Sequence, residues 1–186
     1  MARPALILSV LLLAPAVGAT GPQEKSVKKL VKLVRYERDA KALKLLSGED
    51  QGKRLLQGHW AKASPAERKR FTRNFQGLFA ALAFPKVRKN FEHLKSIVCS
   101  KAKVEGRMVD LPCNVVLMHA LKKKEMKVVF RLTQKKGWKI VDVKVMGDWM
   151  LEGIREQQIQ PLMKRGGWNS LLEKMETRLA KVTVSK

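Results

Sequence analysis

The spacing of apolar residues changes twice along this chain, and that change most narrowly limits the fold that the chain can adopt. Between residues 24 and 94, apolar side chains recur every three or four positions, as on one face of a helix. Between residues 97 and 146 the chain becomes rich in Val, Ile and Leu with alternating polar residues, as in half-buried strands. Helical spacing returns at Asp148. The order predicts a single α+β domain with helices packed on a sheet.

The clearest local signal of a helix is the sequence from Ser64 to Glu67. Ser64 is suited to cap the helix, Pro65 fits its first position, and Glu67 is placed to complete a capping box. The helix that begins here carries a stripe of phenylalanines, and Pro85 is predicted to interrupt it before a shorter helix follows.

Two further amphipathic helices flank the strands. Residues 24–46 place apolar side chains on one face and basic ones between them, which predicts a single helix with a basic outer surface. Near the C-terminus, Pro161 and the pair Gly166-Gly167 predict a break, after which a final helix begins at Trp168.

The central region predicts an antiparallel meander of about four strands, at residues 97–104, 114–121, 126–133 and 138–146. Residues 122–125 and 134–137 are predicted to form the hairpin turns. Alternation places Met126, Val128 and Phe130 on one face of their strand, and Val141, Val143 and Val145 on one face of the last. The expected sheet is curved and resembles NTF2-like folds in outline.

The first nineteen residues have the layout of a secretory signal peptide. Arg3 gives a positive start, an apolar stretch follows, and small residues precede a cleavage site after Ala19. A buried N-terminal helix is the alternative. We therefore expect residues 1–19 to be removed and residues 20–186 to form one exported domain.

The net charge is +23, and it falls to +22 when Arg3 is removed with the signal peptide. The excess of Lys and Arg is shared between the two halves of the chain and forms no concentrated tail. An even distribution suits a protein that works near anionic membrane surfaces better than one with a nucleic-acid-binding arm. Charge that serves only solubility is the plainer interpretation.

No sequence pattern indicates an enzyme. His59, His93 and His119 are far apart in the sequence and belong to no metal-binding motif, and Asp142 and Asp148 form no recognisable catalytic pair. Zinc-protease, nucleophile-elbow, P-loop and dinucleotide motifs do not occur in the sequence. We expect no catalytic residue, no metal site and no cofactor.

The two cysteines, Cys99 and Cys113, are predicted to form a disulfide. If Gly106 is the centre of a three-residue turn, the cysteines lie directly opposite each other on paired strands. A shift of the turn by one residue moves them out of register, and Pro112 disturbs the local pairing. Two buried thiols are the alternative.

Several segments together resemble the MlaC family of periplasmic phospholipid-binding proteins, also called the toluene-tolerance auxiliary family. They are residues 60–71, the strand from Trp138 to Val143 leading to Gly147, and the tail with Arg155, Gln157 and Gly166-Gly167. Each segment is weak evidence alone, whereas their order and spacing are fairly specific. The similarity extends over residues 55–179.

The resemblance implies a lipid shuttle that contributes to outer-membrane lipid asymmetry. The expected partners are a phospholipid ligand, an inner-membrane ABC transporter with an MCE-domain subunit, an outer-membrane lipoprotein complex and a transient membrane surface. The protein is expected to be a periplasmic monomer that binds no nucleic acid. An exported cationic interaction protein without lipid, or a secreted nucleic-acid-binding protein, remains the alternative.

The resemblance also implies an apolar pocket between sheet and helices that holds the acyl chains. A carrier needs wide apolar walls, because each buried methylene contributes about 0.8 kcal/mol. The candidate wall residues are Phe75, Phe79, Leu82, Phe91, Val128, Phe130, Val143, Val145, Trp149 and Met150. For the phosphate of the headgroup we expect cations at the mouth, and the candidates are Arg155, Lys164 and Arg165.

Overall fold

The computed structural model describes residues 21–120 and 122–184, so the predicted signal peptide lies outside the described residues. Within these described ranges, six α-helices precede the sheet and two follow it. Two π-helical segments, Phe79–Ala83 and Arg155–Ile159, continue directly into the helices after them. The helices are α1 (Pro22–Arg35), α2 (Asp39–Leu43), α3 (Gly48–Leu56), α4 (Gly58–Lys62), α5 (Pro65–Leu78), α6 (Phe84–Glu92), α7 (Met150–Ile154) and α8 (Gln160–Val184).

The strands form one antiparallel sheet in the order β1-β3-β4-β5-β6, and β2 pairs with the same side of β3 as β1 does. Helices lie before and after the sheet in the sequence and pack on it, which confirms the predicted α+β class. The strands are β1 (Leu94–Cys99), β2 (Lys103–Glu105), β3 (Met108–His119), β4 (Lys122–Lys135), β5 (Gly137–Val145) and β6 (Asp148–Trp149).

The turns of the sheet differ from their predicted places. Residues 122–125 belong to β4, where they pair with residues 116–119 of β3, so the chain reverses direction between His119 and Lys122. Ala120 has a φ of 49° there. The lysine-rich sequence suggested a turn, but the long pairing with β3 keeps these residues extended. Gln134 and Lys135 likewise end β4.

The prediction that Val141 shares a face with Val143 and Val145 is wrong, because β5 contains a β-bulge. Arg131 pairs with Asp142, but the next residue, Leu132, pairs with Ile140, so Val141 is an extra residue on β5. Ile140 and not Val141 therefore lies opposite Leu132. The strand pairing is regular on both sides of this bulge, and the two sides are out of phase by one residue of β5.

Cys99 and Cys113 form a disulfide, as predicted, and they are directly paired in the register of β1 and β3. The turn that supports this pairing has two residues, Gly106 and Arg107, because Glu105 pairs with Met108. The one-residue difference from the predicted turn is absorbed between Cys99 and Lys103, where β1 ends and β2 begins.

The predicted single helix at residues 24–46 is two helices, α1 and α2. The chain leaves helical geometry after α1, and Glu37 has a φ of 56°. The guanidinium of Arg88 is positioned to stabilise this break, because it donates hydrogen bonds to the carbonyl of Val34 and to the carboxylate of Asp39. The apolar spacing continues across the break, which is why the sequence indicated one helix.

The capping box at the start of α5 is confirmed. The backbone amide of Glu67 donates to the Ser64 hydroxyl, and the Ser64 amide donates to the Glu67 carboxylate at 2.7 Å. The predicted break in the C-terminal helix is also confirmed, since Gly166 and Gly167 depart from helical geometry within α8.

The buried apolar residues form two separate clusters. The first, which we call the sheet core, lies between α1 and one face of the sheet; it consists of Val27, Leu30, Val31, Val34, Ala42, Leu46, Phe84, Ile97, Leu111, Cys113, Val115, Leu117, Val128, Phe130, Leu132 and Ile140. The second, the helical core, contains only helical residues, namely Leu55, Leu56, Trp60, Phe71, Phe75, Leu151, Ile159, Leu171, Leu172 and Met175. Among the described helices, none has the length and apolar character that a membrane span requires.

Candidate functional site

The two cores meet at the ring of Phe79. Phe75, in the helical core, lies 5.8 Å from Phe79 between ring centroids, and Phe84, in the sheet core, lies 5.5 Å away on the other side. Phe79 itself is half-buried and packs against both cores. The ring therefore joins the two cores while part of it remains open to solvent.

Phe79 begins the π-helical segment Phe79–Ala83, in which all five residues are apolar and none is buried. The amide of Phe84 donates to the carbonyl of Phe79, five residues earlier. Pro85 explains the wider turn, because it has no amide with which to continue an α-helical ladder. Sequence reasoning predicted a break at Pro85, and the structure instead keeps the helix continuous and leaves an apolar surface half-exposed.

The sheet supplies a second half-buried apolar surface. Val145 pairs with Val128 and Val143 pairs with Phe130, so all four side chains share one face. Val128 and Phe130 are buried, whereas Val143 and Val145 are half-buried. We use the name apolar rim for six of the half-buried residues that pack against the sheet core, namely Phe79, Ala80, Phe91, Met126, Val143 and Val145.

The apolar rim contains four of the ten predicted lipid-binding residues and adds Ala80 and Met126. Met126 was placed on the correct face by strand alternation, and its half-exposure was the feature that the sequence did not reveal. Phe75, Val128 and Phe130 lie in the cores behind the rim. Leu82 and Met150 are half-buried and belong to neither core.

Trp149 is separated from the other predicted lipid-binding residues. It pairs with Lys144 on the face of the sheet opposite Val143 and Val145. Its ring stacks on the Arg131 guanidinium at 4.2 Å, and Arg131 also forms a bidentate ion pair with Asp110. Trp149 is thus held among cations on the outer face, which strand alternation alone would have indicated had the pairing of β6 been known.

Two of the three predicted headgroup residues border one cleft of about 250 Å³. The Arg155 guanidinium binds the carboxylates of Glu152 and Glu156 at 3.1 and 3.0 Å, and its buried Nε has no hydrogen-bond partner among the described residues. Lys164 lies on the same border. The cleft is walled by residues of the helical core, and Arg165 is exposed and does not line it.

The buried carboxylate of Asp142 connects the sheet to two helices. It accepts hydrogen bonds from the amides of Val143 and Leu151 at 2.8 and 3.1 Å, and the Arg54 guanidinium lies 3.3 Å away. Burial raises the pKa of the Asp142 carboxyl, and the neighbouring amides and Arg54 oppose that effect. Asp148 is exposed, so the two aspartates do not form a buried pair.

Two of the three histidines come together although they are distant in the sequence. The rings of His93 and His119 lie 4.0 Å apart between centroids, at the exposed end of the sheet. In the described part of the chain, no three side chains of the types that bind metals are grouped as a metal site.

The comparisons with known proteins agree with this architecture. A phospholipid-binding protein from Ralstonia solanacearum, solved in complex with a phospholipid, matches with a TM-score of 0.68 and 14% sequence identity. The match covers 89% of this chain and 98% of that chain. No curated protein matches the sequence. The family model described as MlaC protein matches residues 28–177, from within α1 to within α8. This match extends over most of the chain, through both cores and the apolar rim between them, and it confirms the resemblance: the chain belongs to the MlaC family.

Proposed function

We propose that this protein binds phospholipid and carries it through the periplasm between the outer and inner membranes, as a component of an ABC-type lipid transport system. The observation that carries the proposal is the apolar rim, where the two cores of an MlaC-family chain leave large apolar side chains half-exposed. The phospholipid complex of the Ralstonia protein, which shares this fold, supports it.

The acyl chains enter, in this proposal, at the junction of the two cores. Clefts of about 310, 250 and 120 Å³ among the described residues are lined by side chains outside the apolar rim. Val128 and Phe130 are packed behind the rim. Binding therefore requires the helices to separate from the sheet near Phe79, so that Val128, Phe130 and Phe75 become part of the wall. Phe, Met and small side chains suit such a wall because they adapt to flexible hydrocarbon.

This separation is energetically reasonable because the acyl chains of the lipid take the place of the apolar side chains that moved apart. Each methylene of a bound chain contributes about 0.8 kcal/mol against water, and about thirty methylenes give roughly 24 kcal/mol before the cost of opening is subtracted. The same chains gain a similar amount in a bilayer. Transfer between protein and membrane therefore needs little net free energy, provided that water stays excluded.

For the headgroup we propose Arg155 and Lys164. The unpartnered Nε of Arg155 and the ammonium of Lys164 are suitable donors to phosphate oxygens. Arg165 and Trp149 are less suitable as ligands of the same lipid, since the structure places one outside this cleft and the other on the outer face of the sheet.

The compartment and the partners follow from the same proposal. Export through the predicted signal peptide gives a periplasmic protein with the predicted disulfide and a net charge of +22. Such a charge attracts the protein to anionic membrane surfaces. The inner-membrane partner is an ABC transporter with an MCE-domain subunit, and the outer-membrane partner is a lipoprotein complex.

Native mass spectrometry and lipid extraction of protein purified from the periplasm test the proposal. We expect stoichiometric phospholipid on the wild type and its loss from Val145→Asp, which places a carboxylate in the apolar rim. Met146→Asp is the matched control, because the adjacent Met146 is 91% exposed and the same substitution there leaves the rim intact. Circular dichroism verifies that both variants fold.

Three results would contradict the proposal. They are lipid-free protein after export, equal lipid content in both variants, or steeply salt-dependent binding to DNA without lipid. The first would favour an exported cationic interaction protein, and the last would favour a nucleic-acid-binding protein.

A further inference from the structure

One edge of the sheet is formed by β1 and β2, which lie end to end along β3. In the described part of the chain these two strands pair only with β3. The amide of Ser100 donates to the carbonyl of Pro112, and alternate residues of an antiparallel strand face the same way. The amides and carbonyls of Ile97 and Cys99 therefore point away from β3. We call this surface, residues 94–105, the β1–β2 edge.

Large apolar side chains are exposed along this edge. Val98 is 63% exposed and Val104 is 77% exposed, and both belong to its two strands. Tyr36, which follows α1, is 60% exposed and borders a cleft shared with β1. Single exposed apolar residues are common on protein surfaces, but their concentration on one unpaired strand edge is typical of an interaction site.

The cleft beside the edge has a volume of about 310 Å³ and lies between α1 and β1. Val31, Leu94 and Ile97 form its apolar part. Cations border it, namely Lys28, Lys32, Arg35 and Lys95, and of these Lys28 is paired with Glu24. Lys32 and Lys95 have no carboxylate within ion-pair distance among the described residues.

We propose that the β1–β2 edge binds an extended acidic segment of a partner protein, which adds a strand to β1. The free backbone groups supply the strand pairing, the apolar cleft accepts alternate side chains, and the lysines select carboxylates. A second copy of this chain is a poor occupant, because pairing two such edges would bring Lys95, Lys101 and Lys103 near their counterparts. The inference does not depend on lipid binding.

A fluorescein-labelled peptide of about twelve residues that alternates valine with glutamate tests this inference with the mature protein. We expect saturable binding by fluorescence anisotropy, and slower amide hydrogen exchange at Ile97 and Cys99 by NMR when the peptide is added. A peptide that alternates valine with lysine is expected not to bind.

Two double charge-reversal variants distinguish binding at the β1–β2 edge from attraction by the overall positive charge of the protein. Lys95→Glu with Lys103→Glu is expected to weaken binding of the acidic peptide at least about tenfold. The control, Lys69→Glu with Lys174→Glu, makes the same change of net charge at exposed positions of α5 and α8 and is expected to retain the affinity.

The proposal is overturned by absent saturable binding, by equal losses in both double variants, or by unchanged exchange at Ile97 and Cys99. Dimerisation through this edge would also overturn it. So would a Lys95→Glu with Lys103→Glu variant that loses binding to anionic phospholipid vesicles but still binds the acidic peptide. Thermal melts of each variant ensure that lost binding reflects the edge and not unfolding.

Discussion

The sheet core and the helical core are held together by different kinds of contact. The helical core is built by residues three or four positions apart within helices. The ring of Phe71 stacks on Phe75 and meets the ring of Trp168 edge to face. The sheet core combines α1 with four strands and is linked covalently by Cys99 and Cys113. The half-buried residues of the apolar rim, Phe79 among them, pack against it.

The comparison teaches that apolar surface remains open where two separately packed cores meet. The buried apolar residues of each core pack against one another, and Phe79 contacts both cores without being fully buried in either. One ion pair, Arg54 with Asp142, connects α3 to β5, and another, Arg70 with Glu176, connects α5 to α8 within the helical part.

The largest expected effect comes from breaking the helical core itself. Phe71→Ala removes a ring that is 0% exposed and touches Trp60, Phe75 and Trp168, and it should cost about 4 kcal/mol of unfolding free energy. Phe79→Ala should cost only about 1.5 kcal/mol, because its ring is already partly in water. Urea unfolding measures both values, and equal costs would show that Phe79 belongs to a closed core.

The next largest effect is expected from removing the disulfide, which belongs to the sheet core. Replacing Cys99 and Cys113 by alanine should cost about 3 kcal/mol, since the bridge links residues 14 positions apart and restricts the unfolded chain. Hydrogen exchange should increase in β1 and β3 before it increases in α5 and α8. Uniform acceleration throughout the chain would show instead that the two cores unfold as one unit.

The buried ion pair between the cores should have a smaller effect. Arg54→Met leaves the Asp142 carboxylate without its cation, which should cost about 2 kcal/mol at neutral pH because Arg54 is partly exposed to water. The folded protein binds the Asp142 proton more readily than the unfolded chain, since burial raises the Asp142 pKa. The cost should therefore shrink as the pH falls.

The double variant Arg54→Met with Asp142→Asn is the control for this pair. It should recover part of the lost stability at neutral pH, because no unpaired charge remains buried. Denaturant unfolding at several pH values measures both effects, and a cost that grows on acidification would contradict this account.

The smallest effect concerns the link between α5 and α8, in which Arg70 and Asn74 donate hydrogen bonds to Glu176 and which we call the clamp. Hydrogen bonds from Arg70 and Asn74 lower the pKa of Glu176 from 4.5 to about 2. A lowered pKa gives stability that is present above pH 4.5 and is lost as the pH falls toward about 2. Glu176→Gln should flatten this part of the acid unfolding curve, and it should leave the exchange rates of β3 and β4 unchanged. An unaltered curve would show that the clamp contributes nothing.

Local sequence signals predicted the helical part well. The Ser64 capping box, the phenylalanine stripe and the glycine pair at residues 166 and 167 each act within a few positions of the chain, so their consequences follow from neighbouring residues. The broken helix at residues 24–46 is an exception. The break is bridged by hydrogen bonds from Arg88, which is distant in the sequence.

The sheet part was less predictable because strand register is a long-range property. The bulge at Val141, the reversal between His119 and Lys122, and the position of Trp149 opposite the sheet core all depend on pairing between distant segments. Apolar candidates for the site were identifiable by type, but the sequence did not distinguish the packed Phe130 from the half-buried Val143 beside it.

The amino-acid sequence by itself determined the fold class, the start of α5 at its capping box and the strongly basic character of this chain, because spacing and composition act locally. Only the tertiary structure decided which apolar side chains near Phe79 stay half-exposed and which strand edge has no pairing strand among the described residues. Exposure depends on what the rest of the chain packs against a residue, and no local pattern contains that information.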